Sequence, residues 1–154
     1  MASGIQERFL ARVLSADAAA VAIAEPNGCL DDFAGHKYCV AVTYRRTGVP
    51  VPTPVWFGTA GGRLYFRTEA ESGKVKRIRA NGRIRVAPCT SRGKPLGRTL
   101  EGTAQILPPE REHEAEAAIV SNYGMGRRIY SAYARRTRTS LHYVEVTPTR
   151  PDSA

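Results

Sequence analysis

The chain's most concentrated chemistry lies in the run YFRTEAESGKVKR, residues Tyr65 to Arg77. Alternation brings Arg67 and Thr68 to the end of a strand. Three residues later Ser72 stands where a helix can start, with Lys74 and Arg77 in its first turns. The leading N–H groups of a helix lack intrahelical partners and carry roughly half a positive charge, so anions settle there. A guanidinium at 67, hydroxyls at 68 and 72 and an ammonium at 74 around that helix start make a phosphate cradle. A plainer arrangement uses the same residues: Ser72 only caps the helix and the basic side chains only solvate it.

Charge points the same way. Lys and Arg number 23 against 14 Asp and Glu, a net charge of +9, and 19 of the 23 are arginine, whose planar fork suits phosphate and carboxylate. With 154 residues, 42% hydrophobic and 24% charged, the chain has the composition of one globular domain rather than a disordered segment. No apolar run approaches the roughly 20 residues of a bilayer span, so no membrane association is expected. Cys29, Cys39 and Cys89 form no C-x-x-C pair and have no histidine at metal-ligand spacing, so no metal is expected and the thiols fit a reducing cytoplasm. The start MASGIQERFLARVL lacks the basic segment and unbroken apolar stretch of a secretory signal, which again makes the cytoplasm the expected location. P-loop, dinucleotide, H-E-x-x-H and G-x-S-x-G patterns are absent, His36, His113 and His142 are scattered, and no catalytic residue is assigned. The alternation of aromatic and basic residues in YSAYARRTR, 130–138, raises nucleic-acid binding as a competing class. The strand aromatics mostly alternate inward, however, and nucleic acid is not the expected partner.

The elements that position the cradle follow from periodicity. Ile5, Phe9, Val13 and Leu14 recur at helical spacing, predicting a helix from Ile5 to about Ala24, although VAIA within it also fits a short strand. Cys29–His36 is a loop or a single helical turn. Strands are predicted over Tyr38–Tyr44, Val51–Gly58 and Arg63–Thr68, joined by turns at Arg46-Thr47-Gly48 and Ala60-Gly61-Gly62. The helix from Ser72 to Ala80 ends on Asn81-Gly82 as a left-handed stop. Strands at Arg83–Cys89 and Arg98–Leu107 flank a loop at Ser91–Gly97. Pro108-Pro109 opens an acidic helix to about Asn122, a further helix covers about Gly126 to Arg136, and the last strand is Leu141–Val146. The fold class is mainly β (α+β), a six-stranded antiparallel barrel with flanking helices.

The cradle run, with TPVWFGTAGGRLYFRT before it and IRVAPCTSRGKPLGRTLEGTA after it, resembles the pyridoxamine 5′-phosphate oxidase-like split-barrel superfamily. P-V-W, S-G-K-V-K-R-I-R, V-A-P-C and E-G-T-A occur in order and at the expected spacing, and the similarity is greatest to the actinobacterial deazaflavin-dependent branch, the flavin/deazaflavin oxidoreductase B group. The resemblance runs from about Lys37 to the end. It divides the chain into an N-terminal helical arm, 1–36, and a split-barrel cofactor-binding domain, 37–150.

That resemblance implies a Greek-key split barrel forming a homodimer, with cofactor sites along the interface. It implies a cofactor phosphate held by Arg67, Thr68, Ser72, Gly73, Lys74 and also Arg77, and a ring stacked along Thr53, Pro54, Val55 and Trp56, with Ala87 and Pro88 nearby. Trp56, the only tryptophan, suits a core position as well as a cofactor wall. Flavin-oxidising members carry an extra arginine where this chain has Gly73, and their C-terminal Trp and Arg that grip pyridoxal phosphate have no counterpart in LHYVEVTPTR. The implied cofactor is therefore coenzyme F420, with FMN the alternative. The implied reaction is hydride transfer from reduced deazaflavin to an unsaturated small-molecule acceptor, with the cofactor supplying the difficult chemistry. Lys76, Arg77 and Arg79 are placed to meet the coenzyme's polyglutamate tail. Tyr123, Tyr130, Tyr133 and the arginines at 127, 128, 135 and 136 either line the partner subunit's acceptor pocket or are amphipathic packing.

Overall fold

The computed structural model describes residues 16–123 and 140–149. Six strands, β1 (Tyr38–Tyr44), β2 (Pro50–Ala60), β3 (Arg63–Glu69), β4 (Arg83–Cys89), β5 (Leu100–Ile106) and β6 (Leu141–Pro148), close into an antiparallel barrel in the order β1-β2-β3-β6-β5-β4. This is the six-stranded barrel expected from the alternation. Two α-helices accompany it, α1 (Gly73–Ala80) between β3 and β4, and α2 (Glu112–Tyr123) before β6. The expected helix over 126–136, with Tyr130, Tyr133 and the arginines at 127, 128, 135 and 136, lies outside the described residues, as do residues 1–15 of the expected N-terminal helix.

The barrel interior is filled by alternate residues: Cys39 and Ala41 of β1, Val55 and Phe57 of β2, Leu64 and Phe66 of β3, Ile84 and Val86 of β4, Leu100 and Ala104 of β5, and Val144 and Val146 of β6. Phe33, from a 3₁₀ turn at Leu30–Phe33, and Ile78 of α1 join them. Each large side chain so buried contributes about 1.5–3 kcal/mol. The outer face of β1 is also buried, because Val40, Val42 and Tyr44 pack with Ala18 and Val21. Those last two belong to a 3₁₀ helix, Ala16–Ala22, whose i and i+3 side chains stack on one side. The ambiguous VAIA stretch is thus helical where it covers the barrel, and not a strand.

β2 runs Pro50–Ala60 rather than Val51–Gly58 and β5 Leu100–Ile106 rather than Arg98–Leu107, and two helix boundaries also differ from the sequence expectation. Asn81-Gly82 does not stop α1 with a left-handed residue: Asn81 is extended (φ −150°, ψ 110°), and Gly82 is not among the glycines of positive φ. The chain passes straight into β4, and glycine serves there for space, since a Cβ on Gly82 would lie 3.1 Å from the Ala104 carbonyl oxygen. The acidic helix begins as a 3₁₀ turn at Pro109–Arg111 and becomes α-helical from Glu112.

Helix α2 lies across β2, β3 and β6 on the barrel's outside, burying Ala115, Ala118 and Ile119 against Tyr65 and Leu107. Its last turn is tied down by Asn122, whose Nδ2 donates to the carbonyls of His36 (3.0 Å) and Phe57 (2.9 Å). Asn122→Ala leaves both acceptors without that donor, and a loss of about 1–2 kcal/mol is expected, seen as a lower urea midpoint at unchanged m-value.

Candidate functional site

Within the closed barrel the β2–β3 ladder is short and leaves a seam between the two strands. β2 pairs with β1 over its length from Pro50 to Trp56, but with β3 only from Phe57 to Ala60, opposite Phe66 to Arg63. Beyond Phe57 and Phe66 the two strands part. Pro50, Pro52 and Pro54 fall on alternate residues of the parted half, and alternate N–H groups point to one side of a strand. A proline has no N–H to give, so the geometry that keeps the β1 ladder turns these positions toward the seam and prevents β3 from closing it.

The seam's two lips carry the residues singled out in the sequence. Thr53, Pro54, Val55 and Trp56 form the β2 lip, and Arg67 and Thr68 end the β3 lip. Ser72 then caps α1, its Oγ accepting from the Val75 N–H at 3.4 Å and lying 3.1 Å from Thr68 Oγ1. The Ser72 hydroxyl is thus the cap of α1. Gly73 and Lys74 open α1, and the Lys74 ammonium reaches over the Phe66 ring, 5.9 Å from its centroid. Arg77 stands one turn on, its Nε donating to Thr43 Oγ1 at 2.7 Å. Thr43 was not singled out from sequence, although its hydroxyl is the one polar group in the otherwise apolar inward series of β1.

The strand pleat divides the cradle. Thr68 faces inward with Phe66, whereas Arg67 faces outward, where it pairs with Glu116 of α2 at 3.9 Å. Tyr143 of β6, opposite Arg67 in the ladder, donates to the same carboxylate. Burial and that bond push the Tyr143 phenol up to about 12. Glu116 carries no signal in the acidic run of its helix, because only the packing of α2 onto β3 brings it to Arg67. Trp56 is half-buried, 5.1 Å from the Tyr123 ring and 6.3 Å from the Tyr38 ring, so it is packed against α2 at the seam's outer edge. Ala87 and Pro88 lie on β4, paired with Val40 and Cys39 of β1. Ala87 packs under the Ala16–Ala22 helix, and Pro88 lies against Gly97.

Two features of the seam fit an anionic ligand with a polar ring edge. Thr53 Oγ1 is buried with no hydrogen-bond partner among the described residues, which asks for a partner from outside the chain. Lys74 is pushed down to about 8, chiefly by burial and then by the Arg77 guanidinium, and a bound anion would restore its charge. The unfolded chain, with a lysine near 10.4, binds more protons than the folded chain between about pH 8 and 10.4, so Lys74 makes stability rise with pH across that window. Lys74→Met should therefore be the more stable protein at pH 7, with the advantage disappearing toward about pH 10.4, as thermal midpoints at several pH values would show.

An open groove of about 850 Å³ lies elsewhere, between α1 and β5–β6, lined by Ile78, Arg79, Gln105, Ile106, Glu112 and His142 and by none of the cradle residues. Among the described residues there is no His/Cys/Asp/Glu group able to hold a metal and no helix long and apolar enough to cross a membrane.

Known structures share this architecture. A conserved hypothetical protein of Mycobacterium tuberculosis is 18% identical, with 78% of each chain covered and a TM-score of 0.58. An FAD-binding protein of Mesorhizobium loti is 12% identical, covering 78% of this chain and 84% of its own, at a TM-score of 0.56. The heme storage protein of Vibrio cholerae is 10% identical, covering 78% and 87%, at 0.58. At these identities the likeness is one of fold. No curated protein matches the chain. The sequence profile of pyridoxamine 5′-phosphate oxidase matches residues 29–151, from the 3₁₀ turn that supplies Phe33 to beyond the end of β6. Because that match spans most of the chain, the chain belongs to the pyridoxamine 5′-phosphate oxidase family.

Proposed function

We propose that this chain is an oxidoreductase that holds coenzyme F420 in the β2–β3 seam and reduces an unsaturated small molecule. The observation that carries the reading is the parting of β2 from β3 beyond Phe57 and Phe66, together with the orphaned Thr53 hydroxyl on β2 and the desolvated Lys74 at the start of α1. Bound there, the coenzyme supplies two-electron hydride chemistry. Lys74, Ser72 and Thr68 bind its phosphate at the start of α1, and Thr53 meets a polar edge of the ring. Trp56, braced by Tyr123, walls the ring and excludes water. Gly73 leaves the cradle without a further cation, and the exposed Lys76 and Arg79 of α1 extend positive charge toward a polyanionic tail. A second copy of the chain closes the seam from outside, making the working unit a homodimer.

Titration with F420 and, in parallel, with FMN tests this, following Trp56 and cofactor fluorescence. Micromolar F420 binding with weak FMN binding is the expected result. Tight FMN binding alone would move the assignment to a flavoprotein of the same fold, and binding of neither would end the cofactor reading.

A further inference from the structure

The groove between α1 and β5–β6 has an apolar floor and charges of opposite sign at its rim. Ile78 and Leu107 of the floor are buried, with Ile106 and Pro108 half-buried beside them. Pro108 and Pro109 make one wall, and two consecutive prolines fix that stretch of backbone before anything binds. Arg79 stands at one end, because Gly82, three residues on, accepts from the Ala104 N–H at 2.6 Å. Glu112 stands at the other, past Leu107 and the turn at Pro109–Arg111. A strand rises about 3.3 Å per residue, so the steps from Ala104 to Leu107 set the two ends roughly 10 Å apart. Among the described residues Arg79 and Glu112 make no ion pair or side-chain hydrogen bond, and neither do Gln105 and His142, which line the groove with them. Four polar side chains thus face one groove with their bonding capacity unspent.

Their kinds and order select the ligand. The planar Arg79 fork suits a carboxylate, and the ionised Glu112 carboxylate, which only accepts, suits an ammonium. A ligand charged with one sign alone would leave one end of the groove unmatched. Gln105 lies between the two ends and offers both a donor and an acceptor, the pair that a peptide link requires. An extended chain spans at most about 3.3–3.6 Å per residue, so about three residues bridge the rim charges. The groove's volume of about 850 Å³ lies within the roughly 300–1,000 Å³ of small-ligand sites. We propose that this groove binds a short apolar peptide of about three residues with free ends, its carboxylate on Arg79, its ammonium on Glu112 and its side chains on the floor. The site goes beyond the cofactor reading, since no cradle residue lines it and Arg79 alone is common to both.

Isothermal titration calorimetry of the full chain at pH 7, without cofactor so that either reading can fail alone, uses alanyl-leucyl-alanine, its N-acetyl form, its C-terminal amide and free leucine. The free tripeptide should bind, and capping either end should weaken it about three- to tenfold, as fits rim charges partly in water. Arg79→Gln should weaken the free tripeptide by a similar factor and leave binding of the amide unchanged. Glu112→Gln should do the same with respect to the N-acetyl form. Neither side chain has a partner in the fold, so both variants should fold and melt close to the wild type. Leucine, too short to reach both ends, should bind more weakly than the tripeptide. No heat of binding from the tripeptide, capped forms that bind as tightly as the free one, leucine binding equally well, or variants that lose free and capped peptides alike would each overturn the proposal.

Discussion

Lys74→Ala is expected to weaken F420 binding roughly 10–100-fold, because a hydrogen bond to a charged group contributes about 1.5–3 kcal/mol. The size of the effect follows from the site. Lys74 is the cradle cation on the inner side of the seam, since Arg67 is turned outward to Glu116 and Arg77 is bonded to Thr43. Neither is positioned to take over. Lys76, exposed two residues further along α1, is the control, and Lys76→Ala should change affinity several-fold less. The loss should also shrink as pH rises, because Lys74 in the free protein loses its proton near pH 8 and the wild type must then take one up to hold the phosphate. Parallel fluorescence titrations of the three proteins at pH 7 and pH 9 would decide it. Equal affinities for wild type and Lys74→Ala at pH 7 would remove Lys74 from the cradle.

The largest stability effect is expected at Gly58. A Cβ there would sit 2.1 Å from the Ala118 carbonyl oxygen and 2.5 Å from the Ile119 nitrogen. Both are backbone atoms of α2, so no rotamer change relieves the overlap and the helix has to lift from β2. Lifting it strains the Asn122 bond to Phe57 and the packing of Trp56 on Tyr123. Gly58→Ala should therefore cost about 3 kcal/mol, which for a domain of this size lowers the melting temperature by roughly 10 °C. Trp56 emission should shift to the red in the folded variant, because the outer wall of the seam loosens. An unchanged melting temperature would mean that α2 does not rest on Gly58.

Much of this architecture is legible in the sequence because it is local. Alternation in YCVAVTY and RIRVAPC marks β1 and β4, and Ser72 ahead of an amphipathic turn marks the start of α1 as a cap and an anion cradle at once. Alternate prolines in PVPTP declare a strand that cannot be paired on both sides. Periods of two and 3.6 and the missing proline N–H are properties of the chain itself, and they carry the barrel and the parting of β2 from β3. Tertiary structure alone decided what depends on neighbours distant in sequence. It turned Arg67 away from Lys74 and gave it to Glu116, paired Ala87 and Pro88 with β1, and put α2 on Gly58. Lys74 reads as one more basic residue in SGKVKRIR. Its low pKa comes from burial first and from the neighbouring Arg77 guanidinium second, and burial is a sum over the whole fold.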